Sequence, residues 1–130
     1  MADKTIDFNA LQQVIDTSWG HSSTPAAASY SVKIQIQNVD HLQVLFSSMV
    51  QVGGYNDRVN VQRLCAEQSV SMIKEVLTVV KKAYKELTGD TLKLKEVQSN
   101  DSLEVVGGFS GVKQPRMSAL YRRKTILEIG

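Results

Sequence analysis

The segment from Asp57 to Thr88 constrains the fold more than any other part of this 130-residue chain. Its apolar residues recur at steps of three and four, a spacing that is typical of an amphipathic helix with one buried face. The predicted apolar stripe consists of Val61, Cys65, Met72, Val76, Val80, Ala83 and Leu87. Asn56 or Asp57 is a suitable N-cap, and Gly89 can adopt the left-handed conformation that ends a helix.

The length of this helix is as informative as its existence. A helix from Asp57 to Thr88 would extend for about 48 Å, whereas a compact chain of this size has a diameter of roughly 36 Å. Either the helix bends or breaks near Ser69 to Ser71, or a neighbouring subunit covers the part that its own chain cannot. The second alternative favours a homo-oligomer.

The other periodic segments predict a small sheet. Residues 30–37 alternate strictly between apolar and polar, residues 91–106 indicate a hairpin with its turn at residues 99–102, and residues 118–129 are rich in strand formers. A second helix, capped by Asp40 and ending at residues 53–54, is predicted from the spacing of Leu42, Leu45, Phe46, Met49 and Val50. The prediction is an α+β fold: a mixed or antiparallel sheet of about four strands packed against one long helix and shorter helices.

The first 29 residues are predicted to form an N-terminal helical arm and linker, and residues 30–130 the α+β domain. Asp7 is a candidate cap for the arm, and residues 21–29, HSSTPAAAS, have the composition of a linker. The arm packs either on its own domain or on another subunit. The candidate oligomer interface combines its apolar side with part of the long-helix stripe: Phe8, Leu11, Ile15, Trp19, Val61, Cys65 and Met72.

Converging catalytic or metal-binding groups are not evident in the sequence, so an enzyme, a cofactor and a small-molecule substrate are not expected. Neither His21 nor His41 has a carboxylate or cysteine at a typical ligand spacing, and Asp40 is interpreted as a helix cap. The GGFSG segment at 107–111 lacks the GxxxxGK[ST] pattern of a phosphate loop. The single cysteine, Cys65, is interpreted as a small buried apolar residue.

The most suggestive polar feature is a basic cluster near the C-terminus. Its candidate anion or nucleic-acid contacts are Lys113, Arg116, Arg122 and Lys124. In a strand, Arg122 and Lys124 share one face while Arg123 takes the other, which divides the cluster. The formal net charge of +2 does not by itself indicate nucleic-acid binding.

These features favour a non-enzymatic structural or assembly subunit of a homo-oligomeric complex. A virion component, such as a bacteriophage capsid, neck or tail protein, fits the size, the arm and the lone cysteine. The alternatives are a small nucleic-acid-binding module that uses the C-terminal basic strand and a secretion-machine or adaptor domain. No apolar run is long enough to span a membrane, and the acidic N-terminus is unlike a signal peptide. An intracellular or virion location is therefore expected.

Overall fold

The computed structural model describes residues 6–19, 30–38, 40–107 and 117–130. In chain order its elements are α1 (Phe8–Val14) with a π-helical continuation (Ile15–Trp19), β1 (Tyr30–Asn38), β2 (His41–Val52), α2 (Tyr55–Thr88), β3 (Leu94–Gly107) and β4 (Met117–Ile129). The strands form one antiparallel sheet in the order β1-β2-β4-β3. The predicted α+β class, with a four-stranded sheet and one long helix, is confirmed.

The core lies between the helices and one face of the sheet. Burial alternates along the two central strands, because successive side chains of a strand point to opposite faces. The strand residues buried in the core include Val32, Ile34, Leu42, Val44, Phe46, Tyr121, Leu127 and Ile129. They meet a stripe of α2 that contains Cys65, Ile73, Val76, Val80 and Tyr84. The polar residues that alternate with them along the strands lie on the other face of the sheet, which we call the open face.

The long helix is continuous over 34 residues. At its start Gly54 is the N-cap, rather than the predicted Asn56 or Asp57. The Asp57 carboxylate instead accepts a hydrogen bond from the Gly53 N–H at 2.6 Å, as an acidic residue in the first turn does when it reaches back to a preceding amide. At its end Gly89 has the predicted left-handed conformation, with φ of 83°.

The predicted helix at residues 42–50 is wrong, because this segment is the central strand β2. Leu42, Val44 and Phe46 are fully buried at a spacing of two, while Leu45 and Met49, which the helical spacing had included, lie on the open face. The segment fits the spacing of a helix as well as that of a strand. Pairing with β1 on one side and β4 on the other selects the extended form. The described residues thus contain one helix besides α2, so the predicted shorter helices are only loosely matched.

The predicted hairpin at residues 91–106 is also wrong, because β3 runs straight through the expected turn. Ser99 lies opposite Thr125, and Asp101 lies opposite Arg123. The Ser99 hydroxyl lies 3.1 Å from that of Thr125 and accepts a hydrogen bond from Arg123. A polar run that resembles a turn is extended here because β4 supplies partners for its side chains.

The α1 segment packs on its own chain. The Asp7 carboxylate caps the helix by accepting a hydrogen bond from the Ala10 N–H at 3.1 Å, as predicted. The Asp7 N–H donates to the hydroxyl of Tyr84 in α2 at 3.0 Å. Leu11 and Ile15 are fully buried in the common core.

The sheet is elongated along the direction of its strands, which reduces the predicted mismatch in length. A 34-residue helix is about 51 Å long, and the 13 residues of β4 extend for about 43 Å. The estimate from a compact sphere was therefore too short for this domain. The large apolar side chains of α2 that remain exposed are Val59 and Leu64 near its start and Val70, Val79 and Leu87 farther along.

Candidate functional site

A polar network joins α2 to the sheet beneath it. The Arg123 guanidinium donates a hydrogen bond from Nε to the Ser69 hydroxyl at 2.9 Å and another from Nη1 to Ser99 at 2.7 Å. Its Nη2 lies 3.5 Å from the Asp101 carboxylate, which also accepts a hydrogen bond from the Tyr121 hydroxyl at 2.9 Å. The Arg123 side chain is only 14% exposed. These contacts fix the position of the helix on the sheet.

The protonation of Tyr121 follows from this environment. Burial raises the pKa of its hydroxyl, because the phenolate would lose hydration. The hydrogen bond with Ser69 and the nearby Arg123 lower that pKa, while the Asp101 carboxylate raises it further. The net shift is upward, so Tyr121 is a neutral donor at neutral pH.

Arg122 and Lys124 point away from this network, onto the open face of the sheet. Arg122 forms an exposed ion pair with Glu104 of β3, with Nη2 and Oε1 3.3 Å apart. Lys124 lies opposite Leu45, which has Lys33 on its other side. Neither lysine forms an ion pair with a described residue. Two of the four predicted anion contacts thus share one exposed face.

The other two predicted anion contacts, Lys113 and Arg116, lie outside the described residues. Among the residues that are described, a lysine-rich cleft of about 610 Å³ lies at the end of α2. Its basic residues are Lys81, Lys82, Lys85 and Lys93. This cleft was not predictable from residue spacing, because it forms only where the chain reversal at Gly89 brings residues 91–94 back beside the helix.

The predicted interface residues of the arm differ in accessibility. Leu11 and Ile15 are fully covered by their own chain, and Phe8 is half-buried. The side chain of Trp19 is outside the described part of the structure. Of the four, Phe8 therefore retains described surface for a partner.

The predicted interface residues of α2 lie along one side of the helix. Cys65 is buried, and burial raises the pKa of its thiol, so the group is protonated at neutral pH. Val61 and Met72 are half-buried. Both side chains pack against the core, Val61 near the start of the helix and Met72 beside the buried Ile73.

The first three turns of α2 differ from the rest of the helix. Between Asn56 and Leu64 no side chain is buried, and Cys65 is the first buried residue of the helix among those whose side chains are described. Val59 is 52% exposed and Leu64 is 59% exposed. We call residues 56–64 the leading end of α2. In this segment Val61 is half-buried against the core, while Val59 and Leu64 are exposed.

The described residues contain no group of three or more His, Cys, Asp or Glu side chains that could hold a metal ion. His41 Nδ1 lies 2.9 Å from an Asp40 carboxylate oxygen and 3.2 Å from the Asn38 side-chain oxygen, at an exposed turn. None of the helices in the described part of the chain has the length and apolar character needed to cross a membrane.

Comparison with protein-family models, curated proteins and solved structures finds no match to this chain.

Proposed function

We propose that this protein is a non-enzymatic structural subunit of a homo-oligomeric assembly. The observation that carries the proposal is the leading end of α2, where Val59 and Leu64 expose half or more of their surface. A short helical segment is marginally stable in water unless tertiary contacts hold its apolar side. A second copy of the chain that packs against the leading end would supply those contacts.

The setting that we propose is a virion, as a capsid, neck or tail component of a bacteriophage. Such particles repeat small subunits many times, and a subunit of this kind needs contact surfaces rather than a reaction centre. The lone thiol of Cys65 is buried and protonated, which suits a chain that assembles without disulfide bonds.

The proposal is tested by the mass of the protein in solution. Sedimentation velocity should give a species well above the 14.4 kDa of one chain. Val59→Lys combined with Leu64→Lys should shift the protein toward the monomer, because it places two charges in the proposed contact. Ser71→Lys with Thr78→Lys is the matched control, since both positions are exposed and polar and lie outside the leading end. A wild-type monomer at every concentration would refute the assembly function.

Nucleic-acid binding is the second candidate, and the free charges of Lys33 and Lys124 on the open face favour it. Arg122→Glu with Lys124→Glu should then abolish salt-sensitive binding to nucleic acid. The described aromatic rings of the sheet, those of Tyr30, Phe46 and Tyr121, belong to the covered face. Base stacking on the open face is therefore not available to these rings, and absence of binding at low salt would eliminate this candidate.

A further inference from the structure

The two edges of the sheet differ in how well they are protected against pairing with another strand. Edge strands expose unpaired N–H and C=O groups, and proteins block them with charges, bulges and irregular register. The edge strand β3 has an irregular register as well as charged residues. Its register shifts twice, between Glu96 and Gln98 and between Val105 and Gly107. It also carries Lys95, Glu96, Asp101 and Glu104.

The opposite edge strand, β1, has little such protection. From Tyr30 to Ile36 its pairing with β2 is regular, and its only register shift lies next to the turn, between Ile36 and Asn38. Lys33 is its only charged residue. On its outer side β1 pairs with no strand of the described chain. A regular edge of seven residues, about 23 Å long, is a suitable template for another strand.

We propose that β1 pairs antiparallel with β1 of a second copy across a two-fold axis, giving a continuous eight-stranded sheet. This inference rests on the proposed assembly function and identifies one of its contacts. A two-fold contact needs a surface that is complementary to itself. Side chains directly opposite each other must point to the same face of the sheet. The two-fold axis must therefore lie midway between the two copies of one β1 residue, which then faces itself.

The sequence of β1 selects which residue lies on the axis. An axis at Ile34 pairs residues 32–36 of the two copies within the regular part of the strand, placing Val32 opposite Ile36 on the covered face. On the open face it places Lys33 opposite Gln35, whose side-chain oxygen can accept a hydrogen bond from the ammonium group. An axis at Lys33 would instead set the two lysines against each other, which is unfavourable. Axes at Tyr30 or Ile36 pair less of the regular segment.

This edge contact and the leading end of α2 are separate surfaces. A chain with one two-fold contact forms a dimer, and a second contact elsewhere joins dimers into larger particles. The edge contact therefore accounts for a dimeric building block within the proposed assembly.

The test changes charge at one exposed position of β1. Gln35→Lys should raise the dissociation constant of the two-fold contact about ten-fold at low salt, because each copy then places a lysine opposite Lys33 of the other copy. Gln35→Glu should lower it, because the pairs become oppositely charged. Lys33→Glu with Gln35→Lys should reverse this loss and bind as tightly as Gln35→Glu, because its pairs are again oppositely charged. Gln51→Lys, on the same face of β2, is the matched control and should have no effect.

Sedimentation across a concentration series separates the possible results. Opposite shifts for the two Gln35 variants, with recovery in the double variant, would establish the β1 contact. Equal self-association of the wild type and all variants would overturn the β1 contact while leaving the assembly function standing. A wild-type chain that stays monomeric would overturn both. Circular dichroism should show the same fold in every variant, because Lys33 and Gln35 are exposed.

Discussion

The two parts of α2 have the same regular backbone but very different surroundings. From Cys65 to Tyr84 the helix places a continuous stripe of side chains in the core, and Ser69 receives a hydrogen bond from Arg123. From Asn56 to Leu64 it has no buried side chain, although Val59 and Leu64 are apolar. The core part accounts for the stability of the domain. The leading end is therefore the part of the helix that combines exposed apolar side chains with no buried one, whereas Val70, Val79 and Leu87 are exposed beside a covered stripe.

The largest expected effect is on the free energy of unfolding when a carboxylate is placed in each part of the helix in turn. Val76→Asp should lower the free energy of unfolding by several kcal/mol, because the fully buried position leaves the charge without water or a partner. Leu64→Asp should change the stability of the monomer by less than about 0.5 kcal/mol. Urea denaturation of dilute protein measures both. Equal losses would show that the leading end belongs to the core.

A smaller effect is expected from the arginines that face the two sides of β4. Arg123→Leu should cost about 1–3 kcal/mol, since it removes the hydrogen bonds to the Ser69 and Ser99 hydroxyls and the ion pair with Asp101. Arg122→Leu should cost less than about 1 kcal/mol, because its ion pair with Glu104 is exposed to solvent. Thermal unfolding compares the two variants. A larger loss for Arg122 would contradict the assigned orientation of β4.

The smallest expected effect is a pH dependence of the free energy of unfolding, which a thiol should cause in the core part of the helix but not at the leading end. Burial raises the pKa of Cys65 above its usual 9.0, so the unfolded chain loses this proton first as the pH rises. The thiol therefore has no pH-dependent effect on the free energy of unfolding below pH 9.0, and above that pH it lowers the free energy of unfolding. Cys65→Ala should flatten the decline of stability above this pH.

The matched control for this pH effect moves the thiol to the leading end. Leu64→Cys in the Cys65→Ala background places it at an exposed position, where it should titrate alike in the folded and unfolded chains. Urea denaturation at a series of pH values compares the three proteins. The same slope in wild type and Cys65→Ala would show that burial does not shift the thiol.

Several elements were predictable because local signals agreed with the final packing. Spacing and cap chemistry account for the alternation of β1, the cap at Asp7, the end of α2 at Gly89 and the buried stripe residues Cys65, Val76 and Val80. Leu87, which the predicted stripe included, is instead 51% exposed. The segment at 42–50 was not predictable in this way, since it fits a helix and a strand equally well. Only its place between β1 and β4 decides the outcome.

The contact surfaces depended still more on tertiary structure. The separation of Arg123 from Arg122 and Lys124 followed from strand alternation, but the partners of Arg123 come from residues 69, 99 and 101 and could not be inferred from spacing. Leu11 and Ile15 were candidates for a contact with another chain, and in the structure their own core covers them. The unprotected edge of β1 became visible only with the order of the strands.

Amide hydrogen exchange of α2 at two protein concentrations tests the central claim most directly. If another copy covers the leading end, the amides of residues 59–64 should exchange slowly in concentrated protein and much faster on dilution, while those of residues 69–84 should not change. Slow exchange of residues 59–64 that is independent of concentration would show that the single chain protects them. Fast exchange at both concentrations would show that no copy covers them, and either result would contradict the account.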